Sequence, residues 1–257
     1  MHMTTSVYPL RAFQDNYIWV LRHGRNAAVV DPGDAQPVLE HFKAEQLKLC
    51  DILITHHHGD HTGGLPELTH EFNVPVYGPA GSHIPYVSRE LREGDMANLP
   101  ALNLSFRVME VPGHTLDQIA FYGNGWLFCG DTLFACGCGR LFEGTAAQLY
   151  ASLQKFAALP RNTEVYCAHE YTLNNIRFAR AVESDYAPLL QRETAEATKR
   201  ARDEPTVPST MQLELETNPF LRCADANFRE MLRARKIIDN DDPVAAFAAL
   251  RSWKDKF

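Results

Sequence analysis

The stretch Thr55-His56-His57-His58-Gly59-Asp60-His61 places four potential metal ligands, His56, His58, Asp60 and His61, within six residues, directly after the apolar run Ile52-Leu53-Ile54. An extended chain sends side chains at i and i+2 to the same side, so His56 and His58 share a direction while His57 points away. Gly59, free in its backbone dihedrals, is expected to turn the chain and aim Asp60 and His61 at an adjacent point. Further candidates follow other apolar runs: His114 after Val111, Asp131 after Leu127-Phe128-Cys129, and His169 after Val165-Tyr166-Cys167. Five imidazoles and two carboxylates collected without a cation would be costly to bury, so the set predicts divalent metal. Imidazole with carboxylate and no thiolate points to zinc, iron or manganese rather than a structural cysteine site. Asp31, at a strand end before Pro32-Gly33, reads equally as a turn residue or as a group that orients a ligating imidazole. His23, His41, His70 and His83 stand alone and are assigned no role.

Positioning these groups requires strand ends that converge. The pattern predicts paired strands at Tyr17 to Leu21 and Ala27 to Val30, a helix from Gln36 to Gln46, a buried strand at Ile52 to Ile54 and a helix from Leu65 to Phe72. A strand from Leu102 to Val111 follows, then a hairpin of Gln118 to Tyr122 with Trp126 to Cys129 around Asn124-Gly125, and a helix from Ala146 to Leu159. Val165 to Cys167 reads as the last strand. Beyond it lie charged helical stretches at Arg177 to Val182, Ala187 to Ala201 and Phe228 to Arg235, and Asp242-Pro243 reads as an N-cap with proline at the first helical position. The expected division is a strand-rich domain over 1–170 and a helical domain over 171–257.

The 257 residues are 45% hydrophobic and 22% charged, which excludes a disordered or collagen-like chain. A net charge of -7 disfavours nucleic acid and anionic membrane as partners. An anionic metabolite would need a local basic pocket. No apolar run approaches the ~20 residues of a membrane span, and no long apolar signal segment opens the chain, so a soluble, cytoplasmic monomer is expected. Met1-His2-Met3 reads as a short addition ahead of a start at Met3. The six cysteines form no CxxC pair, and Cys50, Cys129 and Cys167 in apolar surroundings read as buried free thiols of a reducing compartment. Cys136 and Cys138, one residue apart, are expected to stay unbridged.

His56-x-His58-x-Asp60-His61 with His114, Asp131 and His169 resembles the metallo-β-lactamase superfamily, which implies a four-layer αββα sandwich with a binuclear metal site. The resemblance assigns His56, His58 and His114 to one metal, Asp60, His61 and His169 to the other, and makes Asp131 a bridge. Asp131 stands where antibiotic-hydrolysing members commonly carry cysteine, which argues against that activity. Within the superfamily the chain is similar to the glyoxalase II family, through Phe128-Cys129-Gly130-Asp131-Thr132-Leu133-Phe134, Gly137-Cys138-Gly139-Arg140, His169-Glu170-Tyr171-Thr172-Leu173-Asn174-Asn175, Glu204-Pro205-Thr206-Val207-Pro208-Ser209-Thr210 and Asn218-Pro219-Phe220. That likeness implies a helical glutathione-binding domain, two divalent ions with zinc first, and glutathione contacts at Arg140, Tyr171, Asn175, Arg251 and Lys254. Phe142 stands where family members often carry an aromatic hydroxyl.

The implied reaction is hydrolysis of S-(2-hydroxyacyl)glutathione, such as S-D-lactoylglutathione, to glutathione and a 2-hydroxy acid such as D-lactate, the second step of methylglyoxal detoxification. Asp60 and Asp131 are its catalytic carboxylates, acting with a hydroxide held between the ions. The chain offers no GxSxG nucleophile elbow that would suggest a serine mechanism. Two other readings remain open: a glutathione persulfide dioxygenase of the same superfamily, and a non-catalytic metal-binding protein. Arg251 and Lys254, three apart on an expected helix, share a face and suit a carboxylate, although cations at a helix C-terminus also need no ligand.

Overall fold

A computed structural model describes residues 4–257, so Met1, His2 and Met3 lie outside the described residues. The described residues form two compact units, one of residues 4–110 with 117–130, the other of 111–116 with 131–257.

The first unit begins with β1 (Ser6–Ala12), β2 (Asn16–His23) and β3 (Asn26–Val30), an antiparallel meander. α1 (Gln36–Ala44) then crosses to β4 (Lys48–Leu53), parallel to β3, and α2 (Gly59–Thr62) and α3 (Leu65–Phe72) cross to β5 (Val76–Pro79) and its parallel neighbour β6 (Arg89–Leu91). Val38, Phe42, Leu65 and Leu68 from the helices pack against Val20, Val29, Ile52 and Ile54 of the sheet in one apolar core. A second, antiparallel set comprises β7 (Met96–Leu99), β8 (Leu104–Glu110), β9 (Ile119–Gly123) and β10 (Trp126–Gly130). Asn124 and Gly125, at φ 57° and 82°, make the expected β9–β10 turn.

The parallel register explains the first half of the site. Val30 pairs with Leu53, so Asp31 and the 54–58 segment leave adjacent carboxyl ends of β3 and β4, where ligand-binding loops of parallel sheets collect. A side chain at Gly33 would meet the Asp60 carbonyl at 1.8 Å, so only glycine allows the post-β3 loop to lie against α2.

The second unit holds the two-residue strands β11 (Leu133–Phe134) and β12 (Gly137–Cys138), α4 (Ala146–Ala157), β13 (Glu164–Cys167), α5 (Thr172–Val182), α6 (Ala187–Ala201), β14 (Ser209–Thr210), α7 (Met211–Thr217), α8 (Pro219–Arg222), α9 (Ala226–Ala234) and α10 (Pro243–Lys254). Thr145 and Gln148 close a capping box on α4, and Asp242 caps α10 through the backbone N–H groups of Val244 and Ala245. Phe247 and Trp253 of α10 meet Phe220 and Phe178 edge to face, and those two rings stack on each other.

Three expectations are corrected. Val165 to Cys167 is not the last strand: β14 pairs with β13 through Val165 and Ser209. Cys50 is only half-buried, because a bulge between Ala27 and Ala28 leaves it out of the β3–β4 register. Gly59 supplies no special turn: it has no positive φ and its missing side chain faces open space, while the chain turns because His58, extended at ψ 145°, starts the helical turn α2.

Candidate metal centre and substrate pocket

In the first unit His56 and His58 do share a side. Their Nε2 and Nδ1 atoms lie 3.0 Å apart, while His57 turns off to Asp117, Nδ1 to Oδ1 at 3.0 Å. Two nitrogens bound tetrahedrally to one ion at about 2.0–2.1 Å would be separated by about 3.3 Å, so the pair has chelate spacing. His61 Nε2 lies 3.5 Å from Asp60 Oδ2, a second pair of the same kind.

Asp31 organises both pairs from behind. Its carboxylate accepts the Thr55 N–H at 2.8 Å and the Thr55 hydroxyl at 2.7 Å. With that hydroxyl proton committed, the His56 Nδ1–H donates to Thr55 Oγ1 at 3.0 Å. Asp31 Oδ2 also faces His61 Nδ1 at 3.0 Å. His56 therefore carries its proton on Nδ1 and offers Nε2 as a lone pair, and the Asp31 carboxylate beside His61 Nδ1 favours the same arrangement there. Asn16 was not singled out from sequence. Its amide donates to Asp60 Oδ2 at 3.0 Å, and a buried asparagine at a strand start carries no local signal of that partner.

In the second unit Asp131 stands between two imidazoles. One carboxylate oxygen lies 3.4 Å from His114 Nε2, the other 3.4 Å from His169 Nε2. His114 donates its Nδ1–H to the Arg140 carbonyl at 2.9 Å, again leaving Nε2 available. The His169 ring is stacked on Tyr171 at 4.7 Å with 5° between planes and meets the edge of Phe134, which fixes its orientation. A side chain at Gly139 would meet the Asp131 carbonyl at 2.0 Å, so glycine lets the following loop close over Asp131. The donor chemistry in both units fits divalent ions: imidazole nitrogens able to offer a lone pair, carboxylate oxygens beside them, and separations expected of shared coordination.

A pocket of about 460 Å³ in the second unit gathers Arg140, Tyr171, Asn175, Arg251 and Lys254, and His114 and Asp131 line it as well. Arg251 and Lys254 do belong to one helix, α10, but they differ in setting. Arg251 is 3% exposed and donates to the carbonyls of Cys138 and Gly139 and to Asp255. Lys254 donates to Asn175 Oδ1, and burial brings its pKa down to about 8, Cys138 opposing and Arg251 adding to the effect. Tyr171 is the residue before α5 rather than inside it, and its carbonyl accepts the Asn175 N–H. Phe142, 63% exposed, lines the pocket with its ring edge-on to His114 at 5.2 Å. Asn174 and Phe134 line it too and were not foreseen. The Cys138 thiol faces the pocket, with its pKa raised by burial, which disfavours thiolate chemistry there.

Replacing Asp31 with asparagine keeps the side-chain size and tolerates the φ of 52°, but removes the charge that faces His61 and Thr55. Metal affinity, measured by competition with a chelator, should fall about 10–100-fold; wild-type affinity would show that Asp31 is only a turn residue.

Comparison with known proteins places this geometry in a class. Residues 12–169 match the model of the Metallo-beta-lactamase superfamily, and the fold is that superfamily's αββα sandwich followed by a helical region. ETHE1 from Myxococcus xanthus is 22% identical, with a TM-score of 0.65 over 98% of each chain, a likeness of fold alone. Residues 170–257 match a second model, Hydroxyacylglutathione hydrolase C-terminus. The hydroxyacylglutathione hydrolase of Alkalilimnicola ehrlichii is 55% identical over 98% of this chain and 99% of its own. That of Nitrosomonas eutropha is 51% identical over 98% of each. The chain belongs to the hydroxyacylglutathione hydrolase family.

Proposed function

We infer that this chain hydrolyses S-(2-hydroxyacyl)glutathione thioesters, S-D-lactoylglutathione among them, to glutathione and a 2-hydroxy acid. The observation that carries the reading is the pocket: three cationic side chains, Arg140, Arg251 and Lys254, share one cavity with His114 and Asp131 in a chain of net charge -7. A basic pocket against an acidic background selects a small anion, and glutathione carries two carboxylates. Lys254 and Asn175 satisfy each other before substrate arrives, so ligand carboxylate and amide groups replace a preformed contact.

We propose that His56, His58 and His114 hold one divalent cation and Asp60, His61 and His169 a second, with Asp131 shared, zinc being the first candidate and iron or manganese the others. When bound, such ions supply an acidified water at neutral pH and polarise the thioester carbonyl. Asp31 and Thr55 keep His56 and His61 in the ligating tautomer, and the Arg140 carbonyl does the same for His114. The departing thiol has a pKa of ~8.5, so its departure needs no strong general acid from the chain. The proposed setting is a cytoplasmic monomer. Its six cysteines are all unbridged, which suits a reducing compartment, and no helix among the described residues is long and apolar enough to cross a membrane.

Lys254 gives the reading a pH signature. A carboxylate ligand pairs with the ammonium form, which is populated below about 8 and lost above it. Affinity for S-methylglutathione, whose sulfur does not titrate, should be constant below pH 7 and weaken as pH rises through about 8. Lys254→Arg should move that loss beyond pH 10. Titration calorimetry from pH 6.5 to 9.5 reads this directly, and a flat profile in wild type would remove Lys254 from the binding site. Hydrolysis of S-D-lactoylglutathione by the metal-replete protein tests the function itself; tight metal binding without turnover would leave only a metal-binding protein.

A further inference from the structure

The loop between Asp131 and Arg140 is a hairpin of two-residue strands, β11 and β12, joined by Ala135-Cys136. Two pairs of residues do not hold a hairpin in water, and Cys136 sits at φ 57°, a region unfavourable for a side chain at that turn position. Local sequence therefore does not specify this conformation. Side chains reaching in from the helices do. The Asn218 amide nitrogen lies 3.2 Å from the Phe134 carbonyl and 2.9 Å from that of Gly137, and Asn175 donates to Ala135 at 2.9 Å. Arg251 takes the carbonyls of Cys138 and Gly139. Glu214 accepts the Cys136 N–H at 2.8 Å and lies 3.0 Å from the Asn218 amide.

Glu214 is wholly buried, and its other oxygen takes Arg192 and Ser209, both at 2.5 Å. A buried ion pair is a weak source of stability compared with apolar side chains of the same volume, so its value here lies in what it orients. Glu214 of α7 supplies the acceptor for the Cys136 N–H, and Asn218, between α7 and α8, supplies a donor to two of the loop carbonyls. The loop in turn carries Asp131 at one end and Cys138 and Arg140 of the pocket wall at the other.

We propose that Asn218 and Glu214 are positioning residues for thioester hydrolysis, holding the 133–139 hairpin so that Asp131 and the pocket wall keep their places; this rests on the function inferred above. Asn218→Ser retains an oxygen to cap α8 at the Phe220 N–H but loses both amide donors. It should lower kcat/KM at least tenfold at a temperature where circular dichroism shows it folded, and should speed amide hydrogen exchange over residues 133–139. Glu214→Gln keeps an acceptor for Cys136 but removes the charge that offsets the buried Arg192 guanidinium, so it is read under the same check of folding, should change kinetics and exchange in the same direction, and serves if the serine variant does not fold. Leu232→Ala, a core truncation in α9 away from the loop, provides the comparison: a lower melting temperature with wild-type kcat/KM. Wild-type kinetics in Asn218→Ser and Glu214→Gln, whatever their melting temperatures, would overturn the proposal. Hydrogen exchange separates the two readings: faster exchange in the hairpin with no hydrolysis by wild type would count against the function, whereas exchange unchanged in both variants counts against the positioning role.

Discussion

His58→Ala and Asp131→Ala are expected to lower S-D-lactoylglutathione hydrolysis by about a hundredfold or more, while His57→Ala stays within about threefold of wild type. The contrast follows from geometry that three neighbouring histidines would otherwise obscure. His58 faces His56 at chelate spacing, whereas His57 points the other way and meets Asp117. Asp131 spans His114 and His169 with its two oxygens, so alanine there removes a partner of both imidazoles at once. Metal content measured on the same preparations should fall for the first two variants and stay at the wild-type level in the third. Equal losses in all three would mean that alternation along the 56–58 segment does not choose the ligands.

Arg192→Leu is expected to cost about 3–5 kcal/mol of stability, because it leaves the wholly buried Glu214 carboxylate without its charged partner. Burial alone would push the Arg192 pKa down, but the charge and hydrogen bond of Glu214, with Cys136 and Glu196 adding, together hold it above its ordinary value. Arg192 also donates to Thr217 at 2.6 Å and Ser209 at 3.2 Å, which leaves three buried acceptors short of a donor when it is removed. Urea unfolding followed by circular dichroism measures the loss; a change under about 1 kcal/mol would show that water or a shifted side chain takes the place of the guanidinium.

These two sites differ in how far the chain itself announces them. The 56–61 cluster is local, so residue type and period-two alternation are enough to pick out His56, His58, Asp60 and His61. The same locality exposes α3 at Leu65–Phe72, α6 at Ala187–Ala201 and the Asp242 cap, each with its own periodic or capping signal. β5, β6 and β7 have none. They are three- and four-residue strands whose place depends on partners: Val76 on Ile52, Arg89 on Tyr77, Met96 on Arg107. The burial of α6 is also illegible. Its inward stripe runs through Leu189, Arg192 and Glu196, and charge at those positions reads as a solvated face until Glu214, from a different helix, is found opposite. Asn16 beside Asp60 and Gly33 beneath it fail for the same reason, since the contacts that give them meaning close only when β3, β4 and α2 have packed.

We propose that two divalent cations, held by His56, His58, Asp60, His61, His114, Asp131 and His169, make this chain a thioesterase. Titrating metal into chelator-stripped protein while following S-D-lactoylglutathione hydrolysis tests it most directly. The stripped protein is expected to show no measurable turnover, and the rate to climb to a plateau at two equivalents per chain. Full turnover without metal, or two bound equivalents with no thioester cleavage, would contradict it.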